Sequence, residues 1–236
     1  MIIRNSLLSA FGDAAIRAMS GHLSESSLVV GRVVADRGGP ISDVYFPSSG
    51  VFSIVTLMHD GQAVESLTVG REGAVGLTAA LGEPVSEARI IVQIAGSAWK
   101  ISADRLRDAA QRHPIITDVA IRYSQVVVAQ LHQAAACNAL HDVGPRLCRW
   151  LLTCEDRISD HVVPLTQEFL AMMLGVQRTS VTAAAQSLQR RGLIQYQRGR
   201  ITIVDRAGME AMACECYQVS QQAFDQVFTP LVRAAS

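Results

Sequence analysis

The stretch GVQRTSVTAAAQSLQRRGLI, Gly175–Ile194, holds no carboxylate, and its apolar positions recur at helical spacing. At roughly 100° per residue, Val181, Ala184, Ala185 and Leu188 share one face and are expected to bury. Arg178, Thr179, Thr182, Ala183, Gln186, Gln189 and Arg190 share the other. A solvated helix face ordinarily mixes acids with bases. This one carries hydroxyls, amides, guanidinium groups and a small methyl side chain, which suit base edges and leave room for a thymine methyl.

The flanks frame that helix. Thr166 follows Pro164-Leu165 at the N-cap position of a first helix, QEFLAMML, which Gly175 ends, and Gly192 ends the second. Two short helices joined by a tight glycine turn predict a helix-turn-helix. Beyond them, LIQYQRGRITIVD reads as two strands around the polar turn QRGR, a wing. Between Glu168 and Asp205 there is no acid, while Arg178, Arg190, Arg191, Arg198 and Arg200 supply five bases. Such an uncompensated positive field is what a phosphate backbone rewards. A winged helix can also hold a protein partner, but the acid-free face favours double-stranded DNA. The candidate DNA contacts are Arg178, Thr179, Thr182, Ala183, Gln186 and Arg190 on the second helix, Arg198 and Arg200 on the wing, and Thr166. Arg178 stands in the first turn, within reach of a phosphate or a base at the groove edge.

Upstream the periodicity is different. From Leu28 to about Ser102, LVVGRVVA, DVYFPSSGVFSIVTLM, AVESLTVG and ARIIVQIA are rich in Val, Ile, Tyr and Phe, punctuated by Gly38-Gly39, Pro47, Gly50, Asp60-Gly61 and Gly70. This pattern predicts an antiparallel sandwich or jelly-roll barrel, the barrel being the expected form, with a hairpin at Asp60-Gly61. Ser102 is placed to cap a helix over ADRLRDAAQR. After Pro114 the period becomes helical for about 25 residues, to about Leu140. Its middle, VVVAQL, is apolar on more than one side, which calls for two neighbours. The expected second neighbour is the same helix of another copy, through Val119, Tyr123, Val126, Val127 and Gln130; the alternative is a core helix touching two layers of one monomer. A final helix is expected from about Arg206 to Phe228. The chain thus reads as α+β: residues 1–112 a beta domain, 113–143 a long dimerisation helix, 144–236 a winged helix-turn-helix.

Composition narrows the function classes. An apolar fraction of 49% over 236 residues fits packed domains, and a net charge of +0 leaves nucleic acid open, because binding needs a local basic face. No run reaches the roughly 18 apolar residues of a membrane span. MIIRNSLLSAFGDAAIRAM reads as an amphipathic helix rather than a signal peptide, so a cytoplasmic protein with no membrane partner is expected. The cysteines, Cys137, Cys148, Cys154, Cys214 and Cys216, fall in CRWLLTC, CEC and one isolated position, without a familiar zinc-ligand spacing, and read as buried thiols. The histidines His22, His59, His113, His132, His141 and His161 are scattered, against a metalloenzyme. No metal, no cofactor and no catalytic residues are expected.

A beta-rich N-terminal domain, a long helix and LTQEFLAMMLGVQRTSVTAAAQSLQRRGLI together resemble the Crp/Fnr family of bacterial transcription regulators. The resemblance implies a homodimer on a near-palindromic operator, with RNA polymerase as a further partner and a small-molecule effector not yet identified. Arg178 matches the family's arginine at the start of the recognition helix. Thr179 stands where many members have a base-reading glutamate, and Ala183 where many have an arginine, so the usual half-site is not expected. GREGAVGL and ARIIVQIAGSAWKIS resemble the family's cyclic-nucleotide-binding domain more weakly. Leu77 follows Gly76 where nucleotide-binding members have a ribose-holding glutamate. Ser86-Glu87 stands where they have an Arg-Ser or Arg-Thr pair on the cyclic phosphate, and Glu87 would repel that phosphate. Arg89 lies on the same strand face as Glu87, in position to pair with it. The effector is therefore expected not to be a cyclic nucleotide. The alternative is an effector-independent regulator whose barrel is a scaffold for dimerisation or polymerase contact.

Overall fold

The computed structural model describes residues 4–158 and 162–235; Asp160–Pro164, which reads in the sequence as a connection, lies partly outside these, and its described part, Val162–Pro164, is a strand. In chain order, α1 (Ser6–Ser9) and α2 (Gly12–Met19) precede β1 (Ser24–Leu28), β2 (Val33–Ala35), β3 (Asp43–Leu57) and β4 (Ala63–Val69). Then come α3 (Leu77–Leu81), β5 (Arg89–Ser102), α4 (Ala103–Arg112) and α5 (Ile115–Leu140). The remainder is α6 (Val143–Glu155), β6 (Val162–Pro164), α7 (Gln167–Leu174), α8 (Arg178–Arg190), β7 (Ile194–Gln197), β8 (Arg200–Ile203), α9 (Arg206–Met212) and α10 (Cys216–Ala235).

The expected barrel is not closed. The five-stranded sheet runs β1-β5-β3-β4 with β2 also on β5, an open path whose ends do not pair. The reason lies in β3 and β5, which pair antiparallel from Asp43↔Ser102 to Val55↔Arg89. Pro47 and Gly50, which read as turn residues, sit inside β3, where the register shifts between Pro47 and Phe52. Gly50 adopts φ 80°, and a Cβ there would stand 2.7 Å from the Ile94 carbonyl oxygen. Across the pair, Gly96 lies as tightly on the Ser49 backbone. Two glycines thus let the strands bulge together instead of ending. β1 then pairs with one half of β5 (Gly96 to Lys100), while β4 pairs with the other half of β3 (Phe52 to Leu57), so the outer strands stay apart. LVVGRVVA is split too: Gly31 turns at φ 84°, leaving Val29 and Val30 exposed.

Both faces of the bent pair are covered. Val44, Phe46 and Ile101 pack with Leu7, Phe11, Leu106, Ile116 and Val119 from the helices, while Tyr45, Phe52, Val69 and Val92 fill the other side. Each such fully buried side chain contributes about 1.5–3 kcal/mol. Ser102 caps α4, its hydroxyl accepting from the Arg105 amide, and the hairpin between β3 and β4 closes through Met58–Gln62 with Gly61 at φ 84°.

The long helix begins after Pro114 and is fixed to the sheet domain by Tyr123. Its hydroxyl donates to the Ala74 carbonyl at 3.1 Å and accepts from the Ala74 amide at 3.2 Å. The C-terminal module also docks on the sheet: Trp150 Nε1 donates to the buried Glu65 carboxylate at 2.7 Å, and Arg157 pairs with Glu72 at 2.7 Å. The single final helix expected from Arg206 to Phe228 is two helices, α9 and α10, broken between Met212 and Cys216. Among the described residues no helix is long and apolar enough to cross a membrane.

Candidate nucleic-acid interface

The helix-turn-helix is built by local chemistry. Thr166 Oγ1 accepts from the Phe169 amide at 3.2 Å and caps α7. Gly175, at φ 61°, ends it with the left-handed residue that a tight helix end needs, and the Val176 amide reaches back to the Ala171 carbonyl at 3.0 Å. α8 starts two residues later. Gln177 makes no side-chain cap, so the Arg178 and Thr179 amides stand at the open helix end, while the Ser180 amide bonds the Gln177 carbonyl at 3.0 Å. Gly192 at φ 73° closes α8, with Leu193 N–H on the Leu188 carbonyl.

The phasing of α8 follows the sequence. Val181, Ala185 and Leu188 are buried and Ala184 is half-buried, in one core with Leu170, Leu174, Trp150 and Ile201. Arg178, Thr179, Ala183, Gln186 and Arg190 are exposed along the opposite face. Thr182 differs: it is half-buried, its hydroxyl 2.9 Å from both Gln167 Oε1 and the Arg178 carbonyl. It therefore ties α8 to α7. Gln189 is also engaged, its Oε1 accepting from the Tyr196 amide at 3.3 Å.

The wing is the hairpin β7–β8, extended by β6 into a three-stranded sheet ordered β6-β8-β7. Arg198 and Gly199 form its two-residue turn, both with positive φ, 49° and 76°. Such a turn ordinarily takes Asn-Gly or Gly-Gly, so an arginine at the first position stores strain while exposing its guanidinium at the tip. Arg200 and Thr166 are exposed nearby. Among the described residues, none of Arg178, Arg190, Arg198 and Arg200 enters an ion pair within the chain. Their charge faces outward uncompensated.

The long helix distributes its apolar residues differently from the sequence reading. Val119, Tyr123 and Val126 are buried within the protomer, and Val127 and Gln130 are half-buried. Its exposed apolar side chains include Ile121 (57%), Val128 (49%) and Leu131 along its length, besides Ile115 and Leu140 at its ends. Ile121, Ser124, Val128, Leu131 and Ala135 follow a spacing of three and four residues along one stripe.

A cavity of about 420 Å³ opens between the sheet and α5, lined by Ile54, Leu67, Val69, Leu77, Ser86 and Glu87, with Val127 and Leu131 from the helix. Among the described residues, no arginine or lysine lines it. Arg89 is not paired with Glu87; it makes a two-pronged contact with Asp36 at 3.1 and 2.7 Å, which holds the Asp36 carboxyl below its usual range. His22 and His59 are exposed. The sequence reading missed one constellation, the Cys137, His141, Cys214 and Cys216 group, whose ligand atoms come together from two distant segments.

The family model described as the Crp-like helix-turn-helix domain matches residues 145–212, and that of the cyclic nucleotide-binding domain matches residues 26–113. Among solved structures, FixK2 from Bradyrhizobium japonicum is 15% identical with a TM-score of 0.69, over 81% of this chain and 98% of that one. The c-di-GMP responsive global regulator CLP of Xanthomonas campestris is 20% identical with a TM-score of 0.65, over 81% and 99%. A CRP-family transcriptional regulator from Thermus thermophilus is 20% identical with a TM-score of 0.63, over 80% and 96%. At these identities the likeness speaks for the fold. No curated protein matches the sequence.

Proposed function

The chain belongs to the Crp/Fnr family of transcription regulators, and on that premise we propose that it binds a two-fold symmetric operator as a homodimer through α8 and the β7–β8 wing. It is a DNA-binding regulator rather than an enzyme. The observation that carries the reading is the acid-free outer face of α8, continuous with an arginine-tipped wing and, among the described residues, free of internal ion pairs. In the proposed complex the Arg178 side chain and the Arg178 and Thr179 amides hold a phosphate or groove-edge base. Thr179, Ala183 and Gln186 face base edges, and Arg190, Arg198 and Arg200 hold flanking phosphates. Thr182 acts by positioning, since its hydroxyl is spent on Gln167 and the helix backbone. Thr166 caps α7 and orients it across the backbone.

The dimer contact is the exposed stripe Ile121, Val128, Leu131 of α5, which would pair with its symmetry mate and space the two α8 helices about one DNA turn apart. Residues 1–112, 113–143 and 144–236 act as sensor, connector and reader, and DNA binding places the protein in the cytoplasm. RNA polymerase contact follows from the same regulatory role.

The cavity beside α5 suits an uncharged, largely apolar effector. Its single carboxylate and missing cation oppose a cyclic phosphate. Val127 and Leu131 line this cavity, and Leu131 belongs to the same stripe as Val128, so occupancy can bias the α5 pairing and with it the α8 spacing. The test is fluorescence anisotropy with random-sequence duplex DNA at matched salt. Wild type should bind, and Arg178→Ala should bind at least severalfold more weakly; equal affinities would remove Arg178 from the interface.

A further inference from the structure

We propose that Cys137, His141, Cys214 and Cys216 form a tetrahedral zinc site that fastens the C-terminal end of α5 to the junction of α9 and α10. Their four ligand atoms lie within 4.8 Å of one another. Cys137 Sγ is 3.6 Å from Cys214 Sγ, and Cys216 Sγ is 3.4 Å from His141 Nδ1. Zinc bonds of 2.3 Å to sulfur and 2.0–2.1 Å to nitrogen, at tetrahedral angles, separate ligands by about 3.8 Å (S to S) and about 3.6 Å (S to N). Those two separations match two edges of a zinc tetrahedron, and the remaining ones, none above 4.8 Å, come within small side-chain shifts of it. An iron–sulfur cluster spreads its cysteines over several irons and needs a wider cradle.

The local backbone explains how the ligands meet. Cys137 and His141 are four residues apart at the end of α5, one helical turn, so their side chains project from the same side. The break between α9 and α10 brings Cys214 and Cys216 to them, one just before α10 and one opening it. The three sulfurs are buried and His141 is half-buried.

The surroundings are those of a ligand set. His141 presents Nδ1 to the cluster and Nε2 to the Glu215 carboxylate at 3.3 Å, so Glu215 fixes the tautomer that leaves Nδ1 able to coordinate. Gln133 Nε2 donates to Cys216 Sγ at 3.0 Å, which favours a thiolate there. Three thiolates and one zinc ion sum to a charge of −1. The guanidinium groups of Arg146 and Arg149 lie near enough to act on the Cys137 sulfur, and the Nε of each is buried without a hydrogen-bond partner. Arg146 in turn holds Asn138 of α5 at 2.8 Å and the carbonyl of Leu174 at the end of α7. Zinc at this point would stiffen the joint between the dimer helix and the DNA reader.

Metal analysis of protein purified under reducing conditions without chelator should find about one zinc per protomer. Cys214→Ser and Cys216→Ser should each lose most of it, and Cys148→Ala, outside the cluster, should keep it. Because a serine variant can fail to fold, the wild-type chain is also stripped and titrated with cobalt(II). Thiolate-to-cobalt charge transfer and tetrahedral d–d bands are expected at one equivalent. Protein without zinc whose cobalt spectrum lacks thiolate bands would overturn the site, as would a native Cys137–Cys214 disulfide found by mass mapping of unreduced peptides.

Discussion

Arg198→Gly separates the folding role of the wing turn from its binding role. Arg198 sits at φ 49°, a conformation that costs a non-glycine residue roughly 1–2 kcal/mol. Glycine removes that cost but loses about 0.5–1 kcal/mol more backbone entropy on folding. The difference leaves between zero and about 1.5 kcal/mol in favour of glycine, so the urea midpoint should hold or rise. Binding should change much more. If each Arg198 of a dimer neutralises one phosphate, the variant loses two, and the slope of log K against log salt falls by about 1.8. At 0.15 M salt the counterion contribution alone amounts to about 30-fold in affinity. Anisotropy titrations on one operator duplex from 0.05 to 0.3 M salt (roughly the range over which such slopes are read) measure this directly. An unchanged slope would refute the phosphate contact, and a large fall in stability would refute the turn energetics.

Gln186→Ala should relax base preference at one position of each half-site, by about 1–3 kcal/mol of discrimination, with little change in non-specific binding; competition among single-substituted duplexes reads it. Val128→Glu places a charge on the exposed α5 stripe without disturbing the protomer core, and light scattering should show monomers; an intact dimer would move the interface elsewhere. Glu65 carries a pH signature. Burial pushes its carboxyl up, against the donors Ser53, Trp150 and Thr68 and the nearby charge of Arg149. The folded state then holds a proton that the unfolded chain has released, so stability falls as pH rises from the ordinary carboxylate range through the raised folded value. Glu65→Gln should flatten that portion of the curve; urea midpoints at several pH values that keep the wild-type slope would exclude Glu65 as its source.

The reader domain was legible because its signals are local. The Val181, Ala185, Leu188 stripe, the Thr166 cap and the terminal glycines Gly175 and Gly192 lie within one short stretch, and each stands where the sequence put it. The sheet was legible as strands but not as topology. Pro47 and Gly50 carry the composition of turns, and only the close approach of Gly96 across the pair makes them a bulge. α5 is apolar on several sides, so its sequence could not say which side the protomer keeps; the core takes Val119, Tyr123 and Val126. The cysteine cluster was invisible for a related reason. Cys137 and Cys214 are 77 positions apart, and the α9–α10 break that unites them lies inside what reads as one helix.

Selection of operator sequences from a pool of random duplexes by the purified protein tests the DNA reading most directly. The expected outcome is a two-fold symmetric motif, with half-sites about one helical turn apart, whose enrichment collapses for Arg178→Ala. A pool that stays random after repeated rounds, or a motif enriched equally by Arg178→Ala, would contradict recognition of DNA by the outer face of α8.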